Sequence, residues 1–215
     1  SRILSRNRGI RIETLLAWGV GWDEYRYTIP VRDVKGTVVD IRHFRLKAKG
    51  VRSTPGCKLG LLNIHAIPKS HPNTPIYVCE GEWDAMILDH FLRKYKRAGT
   101  VVAVPGASNF KDEWVHVFEN RDVYLCYDND EAGQEGDLRA ASKLVQTARS
   151  IQYLRFTNDE PDGYDVRDWF LDGIEEKKPK AKFLTFLKMF VTEPRGDLDA
   201  AVDHAKKKDS RYSEP

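Results

Sequence analysis

The chain has 215 residues, 41% of them hydrophobic and 31% charged, with a negative mean hydropathy. That balance excludes collagen and low-complexity disorder, and no stretch approaches the roughly 20 apolar residues that a membrane helix requires. The net charge of +3 hides an asymmetry: residues 1–70 hold fourteen Lys/Arg against five Asp/Glu, residues 71–172 eleven against nineteen, and residues 173–215 ten against eight.

A basic segment beside an acidic one is a prior for nucleotide or nucleic-acid contact on the basic side. Three isolated cysteines, Cys57, Cys79 and Cys126, form no C-x-x-C pair, which argues against a disulfide framework and a zinc ribbon. The first twenty residues mix arginines with apolar side chains, so no signal peptide is expected. The expectation is a soluble globular protein of a reducing compartment, with one large domain or two small ones.

In chain order, Ile12, Leu15 and Leu16 share a helical face within residues 10–18, and Gly19 and Gly21 end that helix. Residues 27–31 and 37–41 are rich in β-branched and aromatic residues around the turn signal Arg32-Asp33-Val34-Lys35-Gly36, which predicts a hairpin. A basic loop follows, with Arg45, Lys47, Lys49, Arg52 and Lys58 around Ser53-Thr54-Pro55-Gly56. From residue 72 apolar strands alternate with helices. Strands are predicted at 76–79, 101–104, 123–127 and 151–154. Helices are predicted at 83–93, near 109–120, and over the face of Leu138, Ala141, Leu144 and Ala148. Continuous apolar strands between amphipathic helices imply βαβ units and a mainly parallel, covered sheet, an α/β fold. Residues 173–215 are charged and helical in parts, notably 183–191, with a poorly ordered end.

Acidic residues fall at the carboxyl ends of these strands, where open α/β sheets bind ligands. Glu80 ends the first strand of the second region, with Glu82 and Asp84 at the following helix start. Asp128 and Asp130 end the third strand and, two residues apart, can face one site. Asp165 and Asp168 lie in a loop after the fourth strand. Converging carboxylates repel and raise each other's pKa unless a cation sits among them, and oxygen ligands select Mg²⁺ or Mn²⁺. Glu82, Asp84 and Glu131 can equally serve as helix N-terminal charges. The six histidines show no metal-ligand spacing. Of the five tryptophans, Trp22 and Trp114 stand in polar surroundings and are the better candidates to stack a base.

Cys79-Glu80-Gly81-Glu82-Trp83-Asp84, Tyr127-Asp128-Asn129-Asp130-Glu131-Ala132-Gly133 and Gly163-Tyr164-Asp165-Val166-Arg167-Asp168 resemble, in order, the motifs of a Toprim domain. The E-G-E-x-D form and the Pro105-Gly106-Ala107-Ser108 loop look most like bacterial-type primases and the primase part of phage primase-helicases. The first seventy residues resemble the small N-terminal part of a primase core, chiefly in Thr54-Pro55-Gly56-Cys57-Lys58 and Leu59-Gly60-Leu61. The resemblance covers about residues 5–172. It implies a basic α+β subdomain over 1–70, a Rossmann-like Toprim domain over 71–172 and a helical tail over 173–215.

The resemblance also implies a DNA-directed RNA polymerase of primase type, in the cytoplasm of a bacterial or phage-infected cell. Such an enzyme uses single-stranded DNA, ribonucleoside triphosphates and an RNA primer, with a replicative helicase as partner and no membrane. Glu80, Asp128 and Asp130 would be the catalytic metal ligands for Mg²⁺ or Mn²⁺. Asp165 and Asp168 would complete the shell, and Glu82 and Asp84 would support it. Lys58, with Arg45, Lys47, Lys49 and Arg52, would grip triphosphate and template; Lys58 stands in a Pro-Gly turn that aims it across the cleft. The family's cysteine-ligated zinc module has no ligands here, so no zinc is expected, and the chain reads as an excised core or a minimal primase. A Toprim nuclease and a non-catalytic single-strand-binding module of a helicase are the alternatives. The primase-like first region argues against the former and the full acid set against the latter.

Overall fold

A computed structural model describes residues 2–46, 50–157 and 159–192. Helices α1 (Arg2–Arg8) and α2 (Ile12–Ala17) open the chain. The sequence pattern predicts only the second. The two are separated at Gly9, whose φ of 66° and close approach to Leu171, 2.6 Å from a would-be Cβ, both require glycine. Next comes an antiparallel sheet of β1 (Gly21–Trp22), β2 (Tyr27–Arg32) and β3 (Val38–Phe44), in that order. Alternation buries Tyr27, Ile29 and Val31 of β2 and Asp40, Arg42 and Phe44 of β3 on one face. The predicted hairpin turn is fixed by Asp33, whose carboxylate accepts from the backbone N–H of Lys35 and Thr37 at 2.9 Å each.

The second sheet has the order β5-β4-β6-β7-β8. Its strands are β4 (Ile76–Cys79), β5 (Thr100–Ala103), β6 (Asp122–Cys126), β7 (Ser150–Leu154) and β8 (Phe190–Val191). The first four run parallel; β8 is antiparallel to β7. All four residues of both β4 and β5 are buried, as expected of strands covered on both faces. The helices are α3 (Glu82–Lys94), α4 (Glu131–Leu144), α5 (Val166–Glu175) and α6 (Pro179–Phe186). Residues of α3, α5 and α6 share one apolar cluster and those of α4 another. The chain leaves β4 toward β5 and returns to place β6 on the other side, so a crevice opens between the carboxyl ends of β4 and β6.

Three expectations are corrected. The helix near 109–120 is a 3-10 segment, Asp112–Phe118, with Trp114 only 5% exposed; it packs on Phe110 and offers no free face for a base. Residues 183–191 are not one helix: α6 stops at Phe186 and β8 closes the sheet, because Phe190 pairs with Leu154 and packs on Tyr77 and Tyr124. That strand depends on an available edge, which periodicity cannot reveal. Asp168 lies in the first turn of α5 rather than in a loop.

The first apolar cluster runs from Leu4, Ile10 and Leu15 through α3 to Phe170, Phe183 and Phe186, so the N-terminal module and the parallel sheet share a core. Its centre is an aromatic pile in which Phe91 and Phe170 stack at 4.3 Å between centroids. Each such buried Phe contributes about 1.5–3 kcal/mol of transfer free energy.

Candidate active site

At the crevice, Glu80 lies one residue past β4 and Asp128 two past β6. Together with Glu82, Asp84 and Arg42 they line a cavity of about 380 Å³, roofed by the Pro105-Gly106 loop. Gly106 takes φ 97° there, and its N–H donates to the Glu80 carbonyl at 3.2 Å, which ties that loop to the end of β4. Asp128 is held partly by its backbone N–H, 3.4 Å from the Glu80 carboxylate.

The flanking acids are set by helix caps. Asp130 is the N-cap of α4 and accepts from the Gly133 N–H at 2.6 Å; Asp165 caps α5 by accepting from the Asp168 N–H at 2.7 Å. A Cβ on Gly133 would stand 2.2 Å from the Asp128 carbonyl oxygen, which is why the D-N-D-E-A-G run needs that glycine. The third motif is laced to the second by backbone bonds, Asn129 N–H to Tyr164 O at 2.9 Å and Gly163 N–H to Asn129 O at 3.0 Å.

The carboxylates sense one another. Burial, reinforced by Asp84, Glu80, Asp165 and Asp130, pushes the Asp128 carboxyl up to about 9. Burial, with Asp165 beside it, pushes Asp84 up to about 7 despite Arg167. Glu80 is raised by burial and then by Asp130 and Asp165, and Asp165 is raised chiefly by burial. Three arginines absent from the predicted set answer this charge. Arg42 pairs with Glu82 in the cavity wall. Arg167 donates from Nη2 to Asp165 at 2.9 Å and to Asp168 at 3.3 Å, while its backbone N–H donates to Asp84 at 3.1 Å. Arg8, at the end of α1, lies 4.7 Å from the Phe44 ring centre and 4.9 Å from that of Trp83, in the field of Asp84 and Asp165. One signal for Arg42 was available: it occupies an inward position of an alternating strand, where a charged residue needs a reason.

The predicted basic set is not gathered at the acids. Arg45, Arg52 and Lys58 are exposed. Lys58 lines a neighbouring cavity of about 290 Å³ with Arg32 and Trp114, separated from the acidic one by Leu59, which borders both. Lys47 and Lys49 lie outside the described residues. Trp22 is 57% exposed and touches Tyr27 edge to face at 4.9 Å.

A family described as Toprim-like matches residues 77–168, the stretch that carries all three acidic motifs. The fold as a whole matches the primase fragment of the bacteriophage T7 primase-helicase, at 21% identity and TM-score 0.59, over 85% of this chain and 72% of that one. It also matches the E. coli primase catalytic core, at 18% identity and TM-score 0.62, over 95% and 75%. The DnaG primase catalytic domain bound to single-stranded DNA matches with the same identity and TM-score, over 95% and 74%. A comparison with curated proteins finds no match.

Residues 77–168 are similar to a Toprim-like family and lie within a fold shared with primase catalytic cores.

The donor set at the crevice suits a hard divalent cation. It consists of carboxylate oxygens, and a cation relieves both the burial and the neighbouring negative charge that raise the Asp128 carboxyl. Among the described residues no three Asp, Glu, His or Cys side chains form a group able to hold an ion as they stand. Asp130 gives Oδ1 to its helix cap, and Asp165 gives Oδ1 to its cap and Oδ2 to Arg167, so Asp165 is the more engaged of the two.

Proposed function

We propose that this chain is the catalytic core of a DNA primase, which copies single-stranded DNA into short RNA primers by metal-dependent nucleotidyl transfer. The observation that carries this reading is the shared cavity of Glu80, Asp84 and Asp128 between β4 and β6, with Asp128 pushed up to about 9 by burial and then by its acidic neighbours. A carboxylate set so crowded is poised for a cation, and it faces a module whose charge is strongly positive. Glu80, Asp128 and Asp130 would hold Mg²⁺ or Mn²⁺, with Asp165 and Asp168 as further ligands once Arg167 releases them. Such an ion, when bound, stabilises charge on the attacking and leaving oxygens of phosphoryl transfer.

The rest falls to the protein. Gly106 and Glu80 fix the cavity roof, Gly133 lets Asp128 and Asp130 approach the α4 N-terminus, and Arg42 supplies positive charge in the wall. Arg45, Arg52 and Lys58, on the exposed side of the basic module, would contact template and triphosphate. The phage relative is a primase-helicase, which supports a replicative helicase as partner in a bacterial or phage-infected cytoplasm.

The test is direct. The protein is incubated with single-stranded DNA templates, labelled ribonucleotides and Mg²⁺ or Mn²⁺. Oligoribonucleotide products that depend on template and metal support the reading. Cut template identifies a nuclease, and bound but unaltered template a binding module; either result sinks it.

A further inference from the structure

We propose that Glu82, the second glutamate of the E-G-E motif, is a positioning residue and not a metal ligand. It holds Arg42 as a fixed cation in the cavity wall, where the guanidinium receives the phosphate charge of a bound nucleotide. This rests on the primase reading and assigns a role within that site.

Arg42 is 2% exposed and heads the largest fully buried side chains of the protein; Glu82 is 8% exposed. The Nη1 of Arg42 donates to Glu82 Oε1, and its Nη2 donates to the Gly60 carbonyl at 2.7 Å. Arginine carries five N–H donors in a planar fork, so these two bonds fix its plane and leave donors over. One of them, Nε–H, is buried without a hydrogen-bond partner among the described residues. A buried ion pair is costly where an apolar pair would serve, and this one borders a cavity, which points to a ligand for the fork.

The setting supplies the ligand's chemistry. Arg42 is the one cation among the described residues lining the cavity, and Glu80, Asp84 and Asp128 line it too. A polyphosphate entering that space meets acids on one wall and needs positive charge on the other. The mount is also stiff: two residues on from Arg42, Phe44 packs edge to face on Trp83, next to Glu82, at 5.0 Å. Adjacent positions of α3 thus receive alternate residues of β3, and the basic module delivers Arg42 to the Toprim acids in a set register.

The test compares Glu82→Gln, the uncharged pair Arg42→Gln/Glu82→Gln, Arg42→Lys and Asp128→Asn for two bindings without turnover. These are Mn²⁺ alone, by calorimetry, and a non-hydrolysable ATP analogue with Mn²⁺. Glu82→Gln strands a buried arginine and is liable to unfold; the double variant strands no charge and keeps the experiment decisive. Expected for the double variant is Mn²⁺ affinity within about twofold of wild type, with analogue affinity down about tenfold, the scale of a lost hydrogen bond to a charged group. In primer synthesis its KM for nucleotide rises more than its kcat falls. Arg42→Lys recovers only part of the loss, because an ammonium cannot satisfy Glu82 and phosphate in one plane.

If Mn²⁺ affinity falls in the Glu82 variants as far as in Asp128→Asn, Glu82 is a metal ligand and the proposal is overturned. Unchanged analogue binding in the double variant overturns it as well. A wild-type protein that makes no oligoribonucleotide yet shows the expected binding pattern sinks the primase reading alone and leaves the Arg42 assignment standing.

Discussion

On the sheet side of the crevice, charge is carried by short side chains one or two residues beyond a strand, or on a helix cap. On the basic side it is carried by long side chains, most of them exposed among the described residues. A carboxylate so close to its backbone is placed by secondary structure itself, as Glu80 is by β4 and Asp130 by the first turn of α4. An arginine or lysine reaches several ångströms from its Cα, so only added constraints such as those on Arg42 make its position definite. The acidic wall is therefore built to fixed geometry, and the basic face, Arg42 excepted, to adaptable contact.

Asp128→Asn separates the two sides most sharply. Loss of one carboxylate from the crowded wall should lower primer synthesis by roughly 10²–10³-fold, the range seen when one preorganised electrostatic contact to developing charge is removed. Single-strand binding should be little changed. A loss of template binding as large as the loss of synthesis would show that the walls are not independent.

Gly133→Ala tests the backbone fit that lets the acids sit where they do. Its Cβ would fall 2.2 Å from the Asp128 carbonyl oxygen, so the loop or the helix must shift. A loss of about 1–3 kcal/mol in denaturant unfolding is expected, together with a weaker Mn²⁺ response. A variant as stable as wild type would mean that the loop after β6 gives way freely.

The metal-free protein should carry a pH signature of the same crowding. The Asp128 carboxyl is raised from 3.8 to about 9 in the folded state, so folding favours its protonated form. Stability from this group is complete below about pH 4 and is lost as pH rises towards about 9; Asp84, raised to about 7, acts in the same direction. The Tm without metal should therefore fall from weakly acidic to alkaline pH, Asp128→Asn should flatten that fall, and Mn²⁺ should oppose it. A Tm that rises over this interval would remove the case for raised carboxyls at Asp128 and Asp84.

The smallest expected effects lie on the exposed basic side. Neutralising Arg45 and Arg52 together should reduce the slope of log affinity for single-stranded DNA against log salt by about 0.7 for each phosphate no longer paired with an arginine. Primer extension at saturating template should hardly change. An unaltered slope would move the template path away from this face.

What could be read from the sequence follows the same division. The parallel sheet, its strands and the order of the acidic motifs were legible, because buried strands are continuous apolar runs and Asp or Glu at their ends stay near the backbone. Asp165 as a cap and Asp168 inside α5 were missed because an N-cap aspartate and a loop aspartate look alike until the following helix is assigned. Arg42 was overlooked among the arginines of a basic segment; only the inward face of β3 distinguishes it from Arg45. Lys58 is expected to reach across to the acids, yet the chain beyond the Pro55–Gly56 turn sets it on the adjoining cavity, a matter of chain path that composition does not encode. Trp114 looks available to a base because its sequence neighbours are charged, while Phe110, four residues before it, meets its ring edge to face at 5.8 Å.

The short strand β8 has a consequence for how the protein behaves in concentrated solution. Its two residue pairs with β7, and the bond from the Arg155 N–H to the Met189 carbonyl at 3.1 Å, cover one margin of the parallel sheet; reciprocal bonds between Leu62 and Ala103 cover the other. A chain shortened before Met189 would leave the backbone groups of Tyr153 and Leu154 free to pair with a second molecule. Such a fragment should keep every carboxylate of the crevice and still fail by self-association, with oligomers that grow with concentration. A strand that carries none of the crevice carboxylates would then be the one that keeps the molecules apart.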